Sequence, residues 1–200
     1  MRACIAVNKH EAQGLEAILN QDLQYKKVTA LFFCGVGLRY KTRLRKELEE
    51  FQPTDILILG SCGACKTSFK RGMALPINFV KNQHHQEYLL SPGDQGLLTV
   101  NKPATSPESK QALAEEYGIS AVDMETFSCL RLIKETVPGC QVQCFRVVLD
   151  ELYESLPDLK KIRTNVEFQA RYSLVQATMN DVFSRWLKSE GKSSKTALTT

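Results

Sequence analysis

The 200-residue chain is 43% hydrophobic and 24% charged with a net charge of +4, an ordinary globular balance in a chain long enough to bury one domain's core. No apolar run approaches the ~20 residues that span a bilayer. The dispersed Lys and Arg argue against a nucleic-acid surface, and the start turns polar too soon for a signal peptide. Seven cysteines, an odd number, fit reduced thiols and a cytoplasmic location.

In chain order, residues 2–7 read as a first strand. Residues 9–19 read as a helix with Ala12, Leu15, Ile18 and Leu19 on one face. A β-type run over 27–34 ends at Gly35-Val-Gly37, which turns into a helix carrying Leu38, Leu44 and Leu48 and broken by Pro53. Residues 55–59 form an uninterrupted apolar strand, the mark of a sheet covered on both faces. Gly60-Ser-Cys-Gly-Ala64 reads as a tight loop, 72–79 as a strand and 81–93 as polar and irregular. Residues 96–100 read as a strand, and Ser106-Pro107-Glu108 starts a helix with proline at its first position. A short strand over 119–124 leads into a helix opened by Glu125, with Phe127, Leu130, Ile133 and Val137 as its apolar ladder. The last strand covers 140–149, and a long closing helix covers 159–186. Residues 1–188 therefore form one domain, and 189–200 a small polar tail. Strands alternating with helices predict an α/β fold, a three-layer αβα sandwich around a largely parallel central sheet.

In such sheets ligands gather at strand ends, which selects four places. Gly35-x-Gly37 could bring backbone N–H groups to an anion, although alone it is usually a tight turn, and Tyr40 stands where the third glycine of a dinucleotide fingerprint belongs. Gly60-Ser61-Cys62-Gly63 permits close approach and adds a hydroxyl. Ala121-Val-Asp-Met-Glu-Thr126 carries two acids around a methionine; a lone acid there can simply cap the helix. Asp150 follows the last strand, as Glu11 follows the first. Carboxylates sharing a pocket can divide into base and acid. Cys62-x-x-Cys65 lacks the further ligands zinc needs, so no metal is expected.

These motifs, in this order, resemble the purine nucleoside phosphorylase and methylthioadenosine nucleosidase superfamily. The likeness rests on Cys34-Gly-Val-Gly37, Asp55-Ile-Leu-Ile-Leu-Gly-Ser-Cys-Gly-Ala64 with Phe69-Lys-Arg-Gly72, Val122-Asp-Met-Glu125 and Leu149-Asp150. The nearest flavour is the short hopanoid-associated branch, the adenosylhopane phosphorylases, similar in Thr99-Val-Asn-Lys-Pro103, Ser106-Pro-Glu-Ser-Lys110 and Arg146-Val-Val-Leu-Asp150. The resemblance implies cleavage of the N-glycosidic bond of a purine nucleoside, adenosine-type and 5′-substituted, with release of adenine. By position, Met124 would pack under the ribose and Glu125 bind its hydroxyls. Asp150 would protonate the base at N7, and Glu11 would orient the nucleophile. Phosphate would be co-substrate, held by Gly35, Gly37 and Ser61, with Arg39 or Arg43 in support. No other cofactor is implied, and the partner expected is a second copy in a dimer or larger homo-oligomer.

Three departures stand out. Ile58 takes the place of an arginine found in some phosphorylases, Ala104 that of the aromatic stacked on the base, and the lid over 78–95 is short. Hydrolysis, as in methylthioadenosine or adenosylhomocysteine nucleosidases, is therefore the alternative reaction. A non-catalytic nucleoside-binding protein on the same fold is the alternative from another class.

Overall fold

A computed structural model describes residues 1–156 and 166–189. Strand β3 (Asp55–Ala64) organises the sheet. On one edge its first half pairs in parallel with β1 (Arg2–Ala6), which in turn pairs with β2 (Thr29–Phe33). On the other edge it runs parallel to β9 (Gln141–Asp150), register Asp55↔Gln141 through Gly63↔Asp150, with a bulge at Cys62/Gly63. The end of β3 then pairs antiparallel with β8 (Ala121–Asp123), through Gly63↔Val122. Beyond β8 lie β7 (Gly96–Thr99) and β5 (Phe79–Asn82), both parallel, and β6 (Glu87–Leu89). Strand β4 (Ala74–Pro76) is antiparallel to β9. The sheet is thus mixed and mainly parallel, as expected.

Period-2 alternation divides the core into two faces. Ala3, Ile5, Ile56 and Ile58 face one side and meet Leu44 and Leu48 of α3 (Lys41–Phe51) and Phe127, Leu130 and Ile133 of α5 (Thr126–Thr136). Cys4, Ala6, Leu57 and Leu59 face the other, against Leu15 and Leu19 of α1 (Leu15–Gln21) and Val175, Met179, Phe183 and Trp186 of α6 (Val166–Lys188). Leu44 and Leu48 are wholly buried, and each such side chain contributes ~1.5–3 kcal/mol. Helix α4 (Pro107–Tyr117) covers the β7–β8 end, started by a capping box between Ser106 and Ser109. Arg2 ties the end of α6 to the sheet: it bonds Asp55 at 3.0 Å and the Trp186 carbonyl at 2.8 Å and lies over the Trp186 ring.

Several local expectations are corrected. Residues 60–64 are not a loop but the second half of β3, because β9 and β8 supply ladders on both edges. The glycines there serve side chains instead: a Cβ on Gly60 would overlap the Arg146 guanidinium. The first helix begins only at Leu15, since Gly14 takes φ 101° and 9–14 are turns. A short helix α2 (Leu23–Val28), started by the Asp22 cap, occupies the front of the run over 27–34. The single strand expected over 72–79 is two, β4 and β5, and part of 81–93 forms the β5–β6 hairpin. The expected helix start at 159 and most of the tail lie outside the described residues. No helix among those residues is long and apolar enough to cross a membrane. All seven cysteines are free and buried.

Candidate active site

The end of β3 is where the acids meet. Pairing with β9 sets Asp150 beside Gly63, and pairing with β8 brings Asp123, Met124 and Glu125 to the same place. The turn after β1 adds Glu11, and α6 adds Tyr172 and Gln169. These residues line one cavity of about 770 Å³, together with Val36, Ser61, Val100, Ala104 and Leu156. Glu11, Glu125 and Asp150, the three acids expected from sequence, all border it.

Each is held differently. The Glu11 carboxylate accepts the Ser61 backbone N–H at 2.7 Å, while its own N–H donates to Asn8 Oδ1 at 3.0 Å. Glu125 stands at the start of α5 and accepts the Gly37 N–H at 3.1 Å and the Met124 N–H at 3.3 Å. Burial and the nearby charge of Asp123 push its carboxyl up to about 7, against the pull of Arg146 and the Gly37 N–H. Asp150, the last residue of β9, is 2% exposed and ion-paired with the ammonium of Lys110. Burial raises its carboxyl above the ordinary range despite that partner. The Tyr172 hydroxyl is raised by burial and by Glu11, Asp150 and Glu125 together, and the residue lines the same cavity as all three acids.

The amides expected to take phosphate are engaged within the protein. Those of Ser61 and Gly37 donate to Glu11 and Glu125, and that of Gly35 to the Val7 carbonyl at 2.8 Å. Gly35 and Gly37 have φ of 72° and 60°, the left-handed region that favours glycine. Arg39 and Arg43 are exposed and stand outside the cavity wall. Ala104 does line the cavity, and the small side chain leaves space where an aromatic was expected. The rings on the wall are His10 and Tyr172, tilted at 5.3 Å between centroids.

From Asp123 on the cavity wall a polar cluster runs inward to Arg146, a cation that sequence reasoning missed. Asp123 Oδ1 accepts the Thr99 hydroxyl at 2.7 Å. Its Oδ2 accepts the Thr126 N–H at 2.9 Å, the Thr126 hydroxyl, and Arg146 at 2.7 Å. Arg146 and Lys110 each carried a sequence signal. Arg146 interrupts the buried alternation Val142, Cys144, Val148, and Lys110 falls on the inner stripe of α4 with Leu113, Ala114 and Tyr117. A lone cation on an inward face demands a buried partner. Cys62 lines the cavity, but burial raises its thiol far above the ordinary value, as it raises Cys65 to about 12, which makes both poor nucleophiles. Among the described residues no three His, Cys, Asp or Glu side chains are grouped to hold a metal.

Neither a protein-family model nor a curated protein sequence matches the chain. Solved structures do. The methylthioadenosine/S-adenosylhomocysteine nucleosidase of Neisseria meningitidis, solved with methylthio-immucillin-A, aligns with TM-score 0.75 and 14% identity over 94% of this chain and 98% of its own. That of Campylobacter jejuni aligns with TM-score 0.74 and 11% identity over 94% and 96%. The futalosine hydrolase of Helicobacter pylori aligns with TM-score 0.72 and 14% identity over 93% and 96%. At such identities the likeness is one of fold: this chain is built on the nucleoside phosphorylase and nucleosidase fold.

Proposed function

We propose that the protein cleaves the N-glycosidic bond of an adenosine-type nucleoside and releases adenine. The observation that carries this reading is the convergence of Glu11, Glu125 and Asp150 on one cavity large enough for a nucleoside, with Glu125 and Asp150 shifted upward by burial. Glycosidic cleavage passes through an oxocarbenium-like state that nearby negative charge stabilises. Glu11 supplies that charge and orients the nucleophile. Glu125 accepts the ribose hydroxyls above Met124. Asp150, its carboxyl raised by burial, gives its proton to N7, so the base leaves neutral. The nucleosidase activities named for the solved structures of this fold support the same reaction class.

We read water as the nucleophile, in place of the phosphate that the resemblance implies. Phosphate would meet the carboxylates of Glu11 and Glu125 at the amides meant for it, and like charges repel. Small Ala104 and the apolar wall at Val36 and Leu156 leave room for a 5′ substituent, a lipid-linked one included. A homodimer belongs to the same reading, supported by Val36 and Tyr40, left about half exposed on and beside the loop of Gly37.

The test is release of adenine from adenosine, methylthioadenosine and a lipid-linked adenosine, each with and without phosphate. Adenine without phosphate is the expected result. A rate that requires phosphate makes the enzyme a phosphorylase. No adenine from any of them, with nucleoside binding intact, favours a binding protein on this fold. Light scattering in solution decides the dimer.

A further inference from the structure

Lys110 is the largest unexplained charge near the cavity. It is 0% exposed, in ion-pair contact with Asp150, and its ammonium also donates to the carbonyls of Glu151 at 2.7 Å and Glu154 at 2.9 Å. The two carbonyls take two of the ammonium's three N–H bonds, and the Asp150 carboxylate stands in ion-pair contact with it. An unpaired ammonium at that depth would lose its proton instead. Glycine at 63 makes room for the arrangement, since a Cβ there would stand 3.1 Å from Asp150 Oδ2.

Resting on the glycosidic reading above, we infer that Lys110 is a positioning residue for the acid step: its buried ammonium fixes the Asp150 carboxyl and stabilises the negative charge that forms there when the proton leaves. In that step the O–H bond of Asp150 breaks and an N–H bond forms at N7 of the base. The C1′–N9 bond breaks with its electron pair going to the base, and an oxygen nucleophile adds to C1′ while its own proton passes to solvent. Asp150 is left as a carboxylate against Lys110, and solvent later restores its proton. A buried carboxyl with no cation would be too weak an acid to give its proton up.

Other groups around Asp150 act in the same direction or against it. Glu154 from the turn after β9 opposes ionisation, as do Cys62 and Cys65 at the end of β3 and Tyr172 on α6 once ionised; Arg171 on α6 favours it. Lys110 is the cation with the largest influence on Asp150. Its side chain also braces the turn, a purely structural duty that would leave the pH profile in place.

The test compares adenine release by the parent protein, Lys110→Met, Asp150→Asn and the double variant across pH. An opposite charge at this range moves a carboxyl by ~1–3 units. Lys110→Met should therefore carry the alkaline limb of kcat upward by at least about one unit and lower the plateau by roughly tenfold. In the Asp150→Asn background the same change should have less than about twofold effect, because coupled residues are not additive. A limb that stays in place, or losses that multiply in full, overturns the inference.

Two further measurements separate it from the reading it rests on. The titration of Asp150 followed by carboxyl ¹³C NMR needs no substrate, and the expected result is a higher midpoint in Lys110→Met than in the parent. If Lys110→Met does not fold, the Lys110 ¹⁵Nζ signal of the parent should move in step with the Asp150 titration and cease to do so in Asp150→Asn. A parent that releases no adenine overturns the glycosidic reading. Asp150 and Lys110 signals that titrate independently overturn the role of Lys110.

Discussion

Asp123 and Asp150 end the two strands that flank the tip of β3, both buried and both beside a cation, yet their surroundings differ. Asp123 accepts hydrogen bonds from Thr99, from the N–H and hydroxyl of Thr126 and from Arg146, which also donates its Nε–H to Thr126 at 3.1 Å. Asp150 faces the ammonium of Lys110 on one side and the cavity on the other. A carboxylate that accepts this many hydrogen bonds is fixed in place. One with a point charge behind it and an open cavity in front can exchange a proton with a ligand. The cations match: arginine is permanently charged and forked, lysine a compact charge that leaves the far oxygen available. On the proposed reading, two similar pairs on one sheet divide into a scaffold and a reacting group.

The largest effect expected from breaking this contrast is at Asp150. Asp150→Asn keeps the shape and can donate a hydrogen bond but cannot transfer a proton, so kcat for adenine release should fall by ~10²–10⁴. Nucleoside affinity should stay close to the parent's, while thermal unfolding should come earlier because the buried Lys110 ammonium loses its anion. Activity within a few-fold of the parent would make Asp150 a second scaffold acid, a cap for its turn.

Arg146→Met attacks the other side of the comparison. It strands Asp123 among neighbours arranged for an anion, and breaking a buried pair in this way costs about 3–5 kcal/mol, read by urea unfolding. Lys110→Met should lose less stability, because the Asp150 carboxyl, already raised by burial, can take up a proton once the cation is gone. Equal losses would erase the distinction between the pairs.

Glu125 sits between the two cases. Glu125→Gln replaces a charged acceptor by a neutral one, a loss of ~1.5–3 kcal/mol in a charge-assisted bond, so the dissociation constant measured by calorimetry should rise more than about tenfold. The pH dependence follows from a carboxyl raised from the ordinary 4.5 to about 7. The folded state favours the protonated form, so the stability this group contributes is full below 4.5 and is lost as pH rises through about 7. Ligand binding runs the other way and tightens through the same interval as the carboxylate forms. Glu125→Gln should flatten both curves, and a parent with neither slope would show that Glu125 is ionised throughout.

The smallest effect is reserved for a control on α4. Ser106→Ala removes one half of the capping box and should lower stability by ~1 kcal/mol without moving the pH limb assigned to Asp150. A shifted limb would mean that the start of α4, and not the charge of Lys110, governs the acid.

Much of this architecture could be read from the chain alone. The apolar run Ile56–Leu59, the proline after Ser106 and the ladder Phe127, Leu130, Ile133 mark their elements through neighbours a few positions away, which is where propensity and periodicity act. The acids stood out because each falls where a strand pattern ends, at Glu11, Glu125 and Asp150. The second half of β3 was hidden, since two glycines in five residues favour a turn when read locally. Two flanking ladders, contributed by residues about sixty and eighty-five positions later, overrule that preference.

What the sequence determined by itself was therefore the order of strands and helices and the identity of the acids that could react. Which groups hold those acids was decided by the tertiary structure: Ser61 on Glu11 from 50 residues away, Gly37 on Glu125 from 88, and Lys110 behind Asp150 from 40. The physical reason is range. Secondary structure is selected by contacts within a few residues, whereas the charge state of a buried carboxylate depends on desolvation and on whichever partners the sheet brings beside it.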